Sequence, residues 1–159
     1  MRCVPHRLSP IAAQSTVITF TSDPMKASDA MVPNPFVAVA NATASEVAIM
    51  FRARNISVVP VVDDHRSRRF LGVLSDRDLV TRCLAEGLEP HNSRADVIMR
   101  TDSCVVGPDT ELEGFTLSMN QDPTELHLRA TITVVDSEHK VIGFISHPEQ
   151  VAGLNLIWR

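Results

Sequence analysis

Two stretches of this chain are versions of one another, and that duplication limits its fold more than any other feature. Phe70-Leu71-Gly72-Val73-Leu74-Ser75-Asp76-Arg77-Asp78-Leu79 reads as a short buried strand feeding a helix, with Ser75 at the N-cap position. Val141-Ile142-Gly143-Phe144-Ile145-Ser146-His147-Pro148-Glu149 repeats the pattern, the two glycines and the two serines each lying 71 residues apart. In a duplicated chain each half exposes an apolar sheet face, and the other half is the natural cover for it.

The Ser-x-x-Asp at Ser75–Asp78 reads in two ways. It is a variant of the capping box, which satisfies a helix's own first donors with no ligand present. It also gathers free backbone amides, a hydroxyl and a carboxylate at one point. The amides and hydroxyl suit a phosphate. The carboxylate can accept two hydrogen bonds from a vicinal diol such as that of ribose.

The 159 residues are 44% hydrophobic, enough to bury a core as one domain or two small ones. A net charge of -4 supplies no basic field for nucleic acid, and 4% aromatics with no Tyr supply few stacking platforms. Three widely spaced cysteines, Cys3, Cys83 and Cys104, point to a reducing compartment, and no apolar run approaches the ~20 residues that span a bilayer. No secretory signal is legible after Arg2 and Arg7. The expectation is a cytoplasmic protein with no nucleic acid or membrane partner.

Residues 1–24 read as an arm of uncertain role, broken by Pro5, Pro10 and Pro24, with one possible strand at 16–20. The first repeat, 25–89, then reads in order: a helical turn at 26–31, a short strand at 36–39, and a helix opened by the capping box Thr43-Ala44-Ser45-Glu46. That helix carries an apolar stripe of Ala44, Val47, Ala48 and Phe51. A β-branched strand follows at 56–62, with Pro60 expected at an edge or bulge. After a charged connection at 63–69 comes the strand 70–74, then a helix with Leu79, Val80, Cys83 and Leu84 on one face, ending near Gly87.

The second repeat, 90–159, opens with a box at Ser93-Arg94-Ala95-Asp96, and Met99 answers Met31. It continues with a strand at Val105-Val106, a box at Thr110-Glu111-Leu112-Glu113 and a helix at 115–119. Strands at 131–135 and 141–145 and a helix at 149–154 complete it. Thr43 and Thr110 are 67 apart and Asp63 and Asp136 are 73 apart, which puts six extra residues in the second copy, around 120–126. That polar, Pro-containing loop is expected to be a lid or a plug at a cleft.

Met31-Val32-Pro33, Val58-Val59-Pro60-Val61-Val62-Asp63 and the run Gly72 to Leu79 together resemble a cystathionine-β-synthase (CBS) motif. Thr133-Val134-Val135-Asp136 and Gly143-Phe144-Ile145-Ser146 resemble its tandem partner. The resemblance implies an α/β (α+β) fold of two tandem βαββα CBS repeats packed about a pseudo-two-fold axis, with two clefts that take AMP, ADP, ATP or S-adenosylmethionine. It implies a regulatory module, a homodimer and a possible regulated protein partner; an enzyme is not expected, because no catalytic domain accompanies the pair, and neither is a cofactor or a metal. The alternative is an interaction scaffold whose clefts are empty or occluded.

On that resemblance Ser75 contacts phosphate and Asp78 the ribose, with Asp76 and Arg77 beside them. Adenine rests near Val37 and Ile56, Ser57 and Val58, or near Val105, Thr131 and Thr133. Ser146 and Glu149 serve the second cleft, where Pro148 removes an amide, Glu149 stands in place of Asp, and Thr133 replaces the proline found at Pro60. The six histidines are scattered without ligand spacing. Leu154, Leu156, Ile157 and Trp158 form an apolar tail expected near the dimer contact.

Overall fold

The computed structural model describes residues 25–112 and 131–145. The arm, the helices expected at 115–119 and 149–154, the loop at 120–126, Ser146, Glu149 and the apolar tail lie outside the described residues.

Described elements run α1 (Ala27–Ala30), β1 (Val32–Pro33), β2 (Ala38–Val39), α2 (Ala44–Arg54), β3 (Val58–Val62) and β4 (Phe70–Ser75) in the first repeat. Next come α3 (Asp76–Asp78), continued by a π-helical segment Leu79–Leu84, and α4 (Ala95–Ile98). β5 (Cys104–Val106), β6 (Ile132–Val135) and β7 (Val141–Ile145) follow. One sheet has the order β2-β3-β4 and the other β1-β7-β6-β5. In each, a parallel pair (β2 with β3, β5 with β6) joins an antiparallel hairpin (β3 with β4, β6 with β7).

The repeats exchange their opening segments. β1 pairs with β7 of the second sheet, Val32 opposite Phe144. In the same way Arg100 bridges Val73 of β4, each amide donating to the other's carbonyl at 2.9 and 2.8 Å. The short helices follow the exchange. Ala95 and Ile98 of α4 bury in the core of the first sheet with Val47, Phe51, Val59, Val61 and Leu74. Ala27 of α1 buries in the core of the second sheet with Val106, Leu112, Ile132 and Ile145. Glycines make this possible. A Cβ on Gly72 would come within 2.9 Å of the Met99 sulfur, and one on Gly143 within 2.7 Å of Met31 Cγ.

A third core lies between the sheets. Val37, Val62, Phe70 and Val73 meet Val135 and Val141 there, with Val39, Val58 and Val105 packed at its margin. The two hairpins join across the pseudo-axis: Phe70 N–H donates to His139 O at 3.0 Å, and Val141 N–H donates to Arg68 O at 2.9 Å. These bonds are mirror partners at the offset of 71. Arg68 and His139 both adopt left-handed backbone, with φ of 50° and 65°.

Several local expectations hold. The Thr43 box forms, with Glu46 N–H donating to Thr43 Oγ1 at 3.2 Å and Thr43 N–H to Glu46 Oε2 at 2.8 Å, and Asn55 ends α2 in a left-handed cap at φ 52°. Such a cap is worth about 1 kcal/mol. Gly87 stands at φ 70° just beyond the π-helical segment.

Other expectations are corrected. Ser93 does not cap α4; its hydroxyl donates back to Glu89 O at 2.8 Å, and Arg94 takes the N-cap position. The register of the opening segments is 68, not 67. Lys26 bridges Glu111 while Thr43 bridges Arg94, so Glu111, rather than Thr110, occupies the place of Thr43, and the later insertion is five residues. Pro60 lies in a central strand, but β2 pairs only with Val61 and Val62, so its missing N–H faces the end of that short strand. The stripe after Asp78 is narrower than expected. Cys83 is buried and Leu79 half-buried, whereas Val80 and Leu84 are exposed, as Ala48 is on α2. Here the chain winds in i→i−5 bonds, Ala85 N–H to Val80 O among them.

Candidate functional site

β4 ends at Ser75, opposite Val58 of β3. By strand alternation Ser75 shares the face of Val73, which is fully buried in the core between the sheets. The site therefore sits where the inter-repeat core opens at the end of a strand. The chain turns at once into α3, whose first amide, Asp76 N–H, donates to Ser57 O at 2.9 Å and ties the turn to β3.

Ser75 and Asp78 form the reciprocal box. Asp78 N–H donates to Ser75 Oγ at 3.2 Å, while Ser75 N–H and Ser75 Oγ–H reach Asp78 Oδ2 at 2.9 and 2.6 Å. Asp78 is only 2% exposed, an unusual place for a carboxylate unless it is paired. The pair comes from the second repeat: Arg100 Nε donates to the same Oδ2 at 3.2 Å. The other first-turn groups face water. Asp76 accepts from Arg77 N–H at 2.7 Å, and Arg77 is exposed.

The expected adenine residues divide. Val37, Val58 and Val105 come together on the inter-repeat core, the third from the opposite sheet. Thr133 stands opposite Val105 and Phe144, fully buried, and Thr131 is half-buried just before β6. Ile56 packs instead on the first sheet's own core, and Ser57 is exposed, with its carbonyl engaged by Asp76. Among the described residues the Thr133 hydroxyl has no hydrogen-bond partner, nor has that of Ser103, which precedes β5. A buried unpartnered hydroxyl is destabilising, so its presence marks a place where a polar group from elsewhere would be welcome.

Arg100 is the site residue that sequence reading did not reach. It lies 22 positions from Asp78 and carries no motif of its own. Its one sequence signal is position: it follows Met99, the residue that answers Met31.

Among the described residues no group of three or more His, Cys, Asp or Glu could hold a metal ion. Burial raises the Cys104 thiol to about 11, which keeps it protonated and unreactive at neutral pH. Among the described residues no helix is long and apolar enough to cross a membrane.

The family model for the CBS domain matches residues 27–85. That segment matches as a CBS domain. The matched segment takes in α1 through the π-helical turn, and so both the Ser75–Asp78 box and the segment exchanged into the second sheet. Hypoxic response protein 1 of Mycobacterium tuberculosis is 26% identical over 107 residues, covering 67% of this chain and 69% of that protein.

Solved structures extend the likeness beyond the matched segment. The crystal structure of hypoxic response protein I with two coordinated zinc ions superposes with a TM-score of 0.63 at 24% identity, covering 76% of this chain and 92% of that one. A putative acetoin utilization protein, AcuB, from Vibrio cholerae gives 0.64 at 24%, covering 76% and 83%. At such identity the likeness speaks to fold, and the fold is that of a tandem CBS pair.

Proposed function

We propose that this chain is a regulatory module that takes an adenosine-containing ligand, of the AMP, ADP, ATP or S-adenosylmethionine kind, at the mouth of the inter-repeat core. The observation that carries the reading is the Ser75–Asp78 pair. A hydroxyl and a carboxylate lie 2.6 Å apart at the edge of a surface built by Val37 and Val58 from one sheet and Val105 from the other. That arrangement offers an apolar slot for a base, and beside it the groups for a ribose diol and a phosphate.

Ser75 serves the phosphate, Asp78 the diol, and the valines the base. Asp76 and Arg77 lie at the rim. Thr131 and Thr133 belong to the matching slot of the second repeat, with Ser146 and Glu149. Affinity concentrates at the Ser75/Asp78 cleft, because Pro148 removes one amide from the other and Glu149 lengthens its acid. Ligand occupancy alters the packing of one repeat on the other, and through it the activity of a protein partner; no catalysis is involved. The assembly is a homodimer, which light scattering tests directly.

A second reading has its own support. Asp78 is buried and held by three donors on one oxygen, as in an interaction scaffold whose cleft stays shut. Calorimetry with AMP, ATP and S-adenosylmethionine separates the two. One tight site per chain, lost in Asp78→Ala and kept in Glu149→Ala, supports the sensor. Failure of every adenosine compound to bind or to raise the melting temperature supports the scaffold. A ligand specific for the native state at a hundred times its Kd would add ~2.7 kcal/mol.

A further inference from the structure

We propose that Ser103, Thr131 and Thr133 form the base-reading set of the second repeat's slot, and that this slot admits oxo purines such as guanine as well as adenine. The inference extends the adenosine reading of the clefts and rests on it.

The strand register gathers these residues. In the parallel pair of β5 and β6, Cys104 lies opposite Ile132 and Val105 opposite Thr133, so Ser103 falls beside Thr131 just before the two strands. Cys104, Val106, Ile132 and Val134 turn to the second sheet's own core, while Val105 turns to the core between the sheets. By alternation Ser103, Thr131 and Thr133 share the face of Val105. Thr133 is fully buried, and Ser103 and Thr131 are half-buried at the strand ends.

The first repeat has no such set. Val61 and Val134 stand opposite Gly72 and Gly143, and Ala38 and Val106 stand opposite Val61 and Val134. In that register Pro35, Val58 and Pro60 occupy the places of Ser103, Thr131 and Thr133. None of the three carries a side-chain donor. Three hydroxyls thus stand on a face that is apolar in the other copy. Among the described residues those of Ser103 and Thr133 have no hydrogen-bond partner, a cost to the free protein that a bound polar group would offset.

A hydroxyl carries one rotatable O–H and also accepts. It can accept from the exocyclic amino group of adenine or donate to the ring nitrogen beside it. It can equally donate to the exocyclic oxygen of guanine or accept from the ring N–H beside that. Such a set meets the hydrogen-bonding edge of a purine without fixing which polarity that edge presents.

The test titrates the full chain, isotope-labelled at its threonine methyl groups, with AMP and with GMP, and follows Thr131 and Thr133 by NMR. Both nucleotides are expected to move both methyl signals, along curves weaker than the tight AMP site seen by calorimetry. Thr133→Val should weaken both curves about tenfold at the Thr131 signal, as for one hydrogen bond, and leave the tight AMP site unchanged. Thr133→Ser, which keeps the hydroxyl, should bind as the wild type does. Unchanged curves in Thr133→Val overturn the proposal, and so does an equal loss at the tight AMP site, the mark of a merely structural threonine. A response to AMP without one to GMP means an edge of fixed polarity and overturns it too. Still methyl signals while calorimetry shows AMP bound leave the adenosine reading standing and remove this one. If neither nucleotide binds by either method, both readings fall.

Discussion

Met99 lies across Gly72, so that a methyl group at residue 72 would meet the Met99 sulfur at 2.9 Å and the backbone oxygen of Arg100 closer still. At the symmetric place the three nearest neighbours of a Cβ on Gly143 are side-chain atoms of Met31. The two contacts are where each repeat accepts the other's opening segment, and they are not equivalent. One presents backbone, which cannot move aside; the other presents a flexible side chain.

Gly72→Ala and Gly143→Ala should each destabilise the fold by about 1–3 kcal/mol, the usual range for overpacking. Their rescue should differ. Met31→Ala should restore most of the loss in Gly143→Ala, whereas Met99→Ala should restore little in Gly72→Ala because the Arg100 carbonyl remains. Thermal melts of the two double variants check this; equal rescue at both sites would show that the Arg100 backbone yields.

Replacing Thr133 by Val removes a buried hydroxyl that has no partner among the described residues, while keeping the shape of the side chain. The free protein should gain up to about 1 kcal/mol. Chemical denaturation measures the gain, and a loss of stability instead would mean that a bound water satisfies the hydroxyl.

The connection from β3 to β4 is held by two carboxylates. Asp63 accepts from the Ser67 hydroxyl and from Asp64 and Arg69 N–H, and Asp64 accepts from Ser67 and Arg66 N–H. These bonds favour the ionised forms, so both groups titrate below the ordinary aspartate value of 3.8. A lowered folded value means the stabilisation is complete above about pH 3.8 and is lost as pH falls below it. Carboxyl carbon shifts of Asp63 and Asp64 should show midpoints below 3.8, and midpoints at or above it would contradict this account.

Cys104, whose thiol burial raises to about 11, should resist alkylation at pH 8 in the native protein and react once the chain is unfolded. Peptide mapping after iodoacetamide distinguishes it from the other cysteines. Rapid native modification would mean that the strand β5 opens readily.

The sequence by itself determined the elements and their order. The boxes at Thr43 and Ser75, the β-branched strand through Val62 and the glycine stops rest on contacts within a few residues, so their signals are local. The offset of 71 between Gly72 and Gly143 marked the duplication for the same reason. Where a local signal had two uses, the sequence could not choose: Ser93 is placed to cap, yet its hydroxyl turns to Glu89. Thr110 imitates the counterpart of Thr43 because it stands beside the true one, Glu111, an offset of 68.

Only the tertiary structure decided which surfaces meet. β1 crossing to β7, Met31 lying on Gly143 and Arg100 closing on Asp78 each join residues distant in the chain. Their energy comes from burial and charge pairing between segments that share no pattern of their own. A carboxylate at a helix start is legible as a cap or a ligand group. That a guanidinium 22 residues away shelters it is fixed by the fold alone, because two repeats that exchange their opening segments place residue 100 against strand β4.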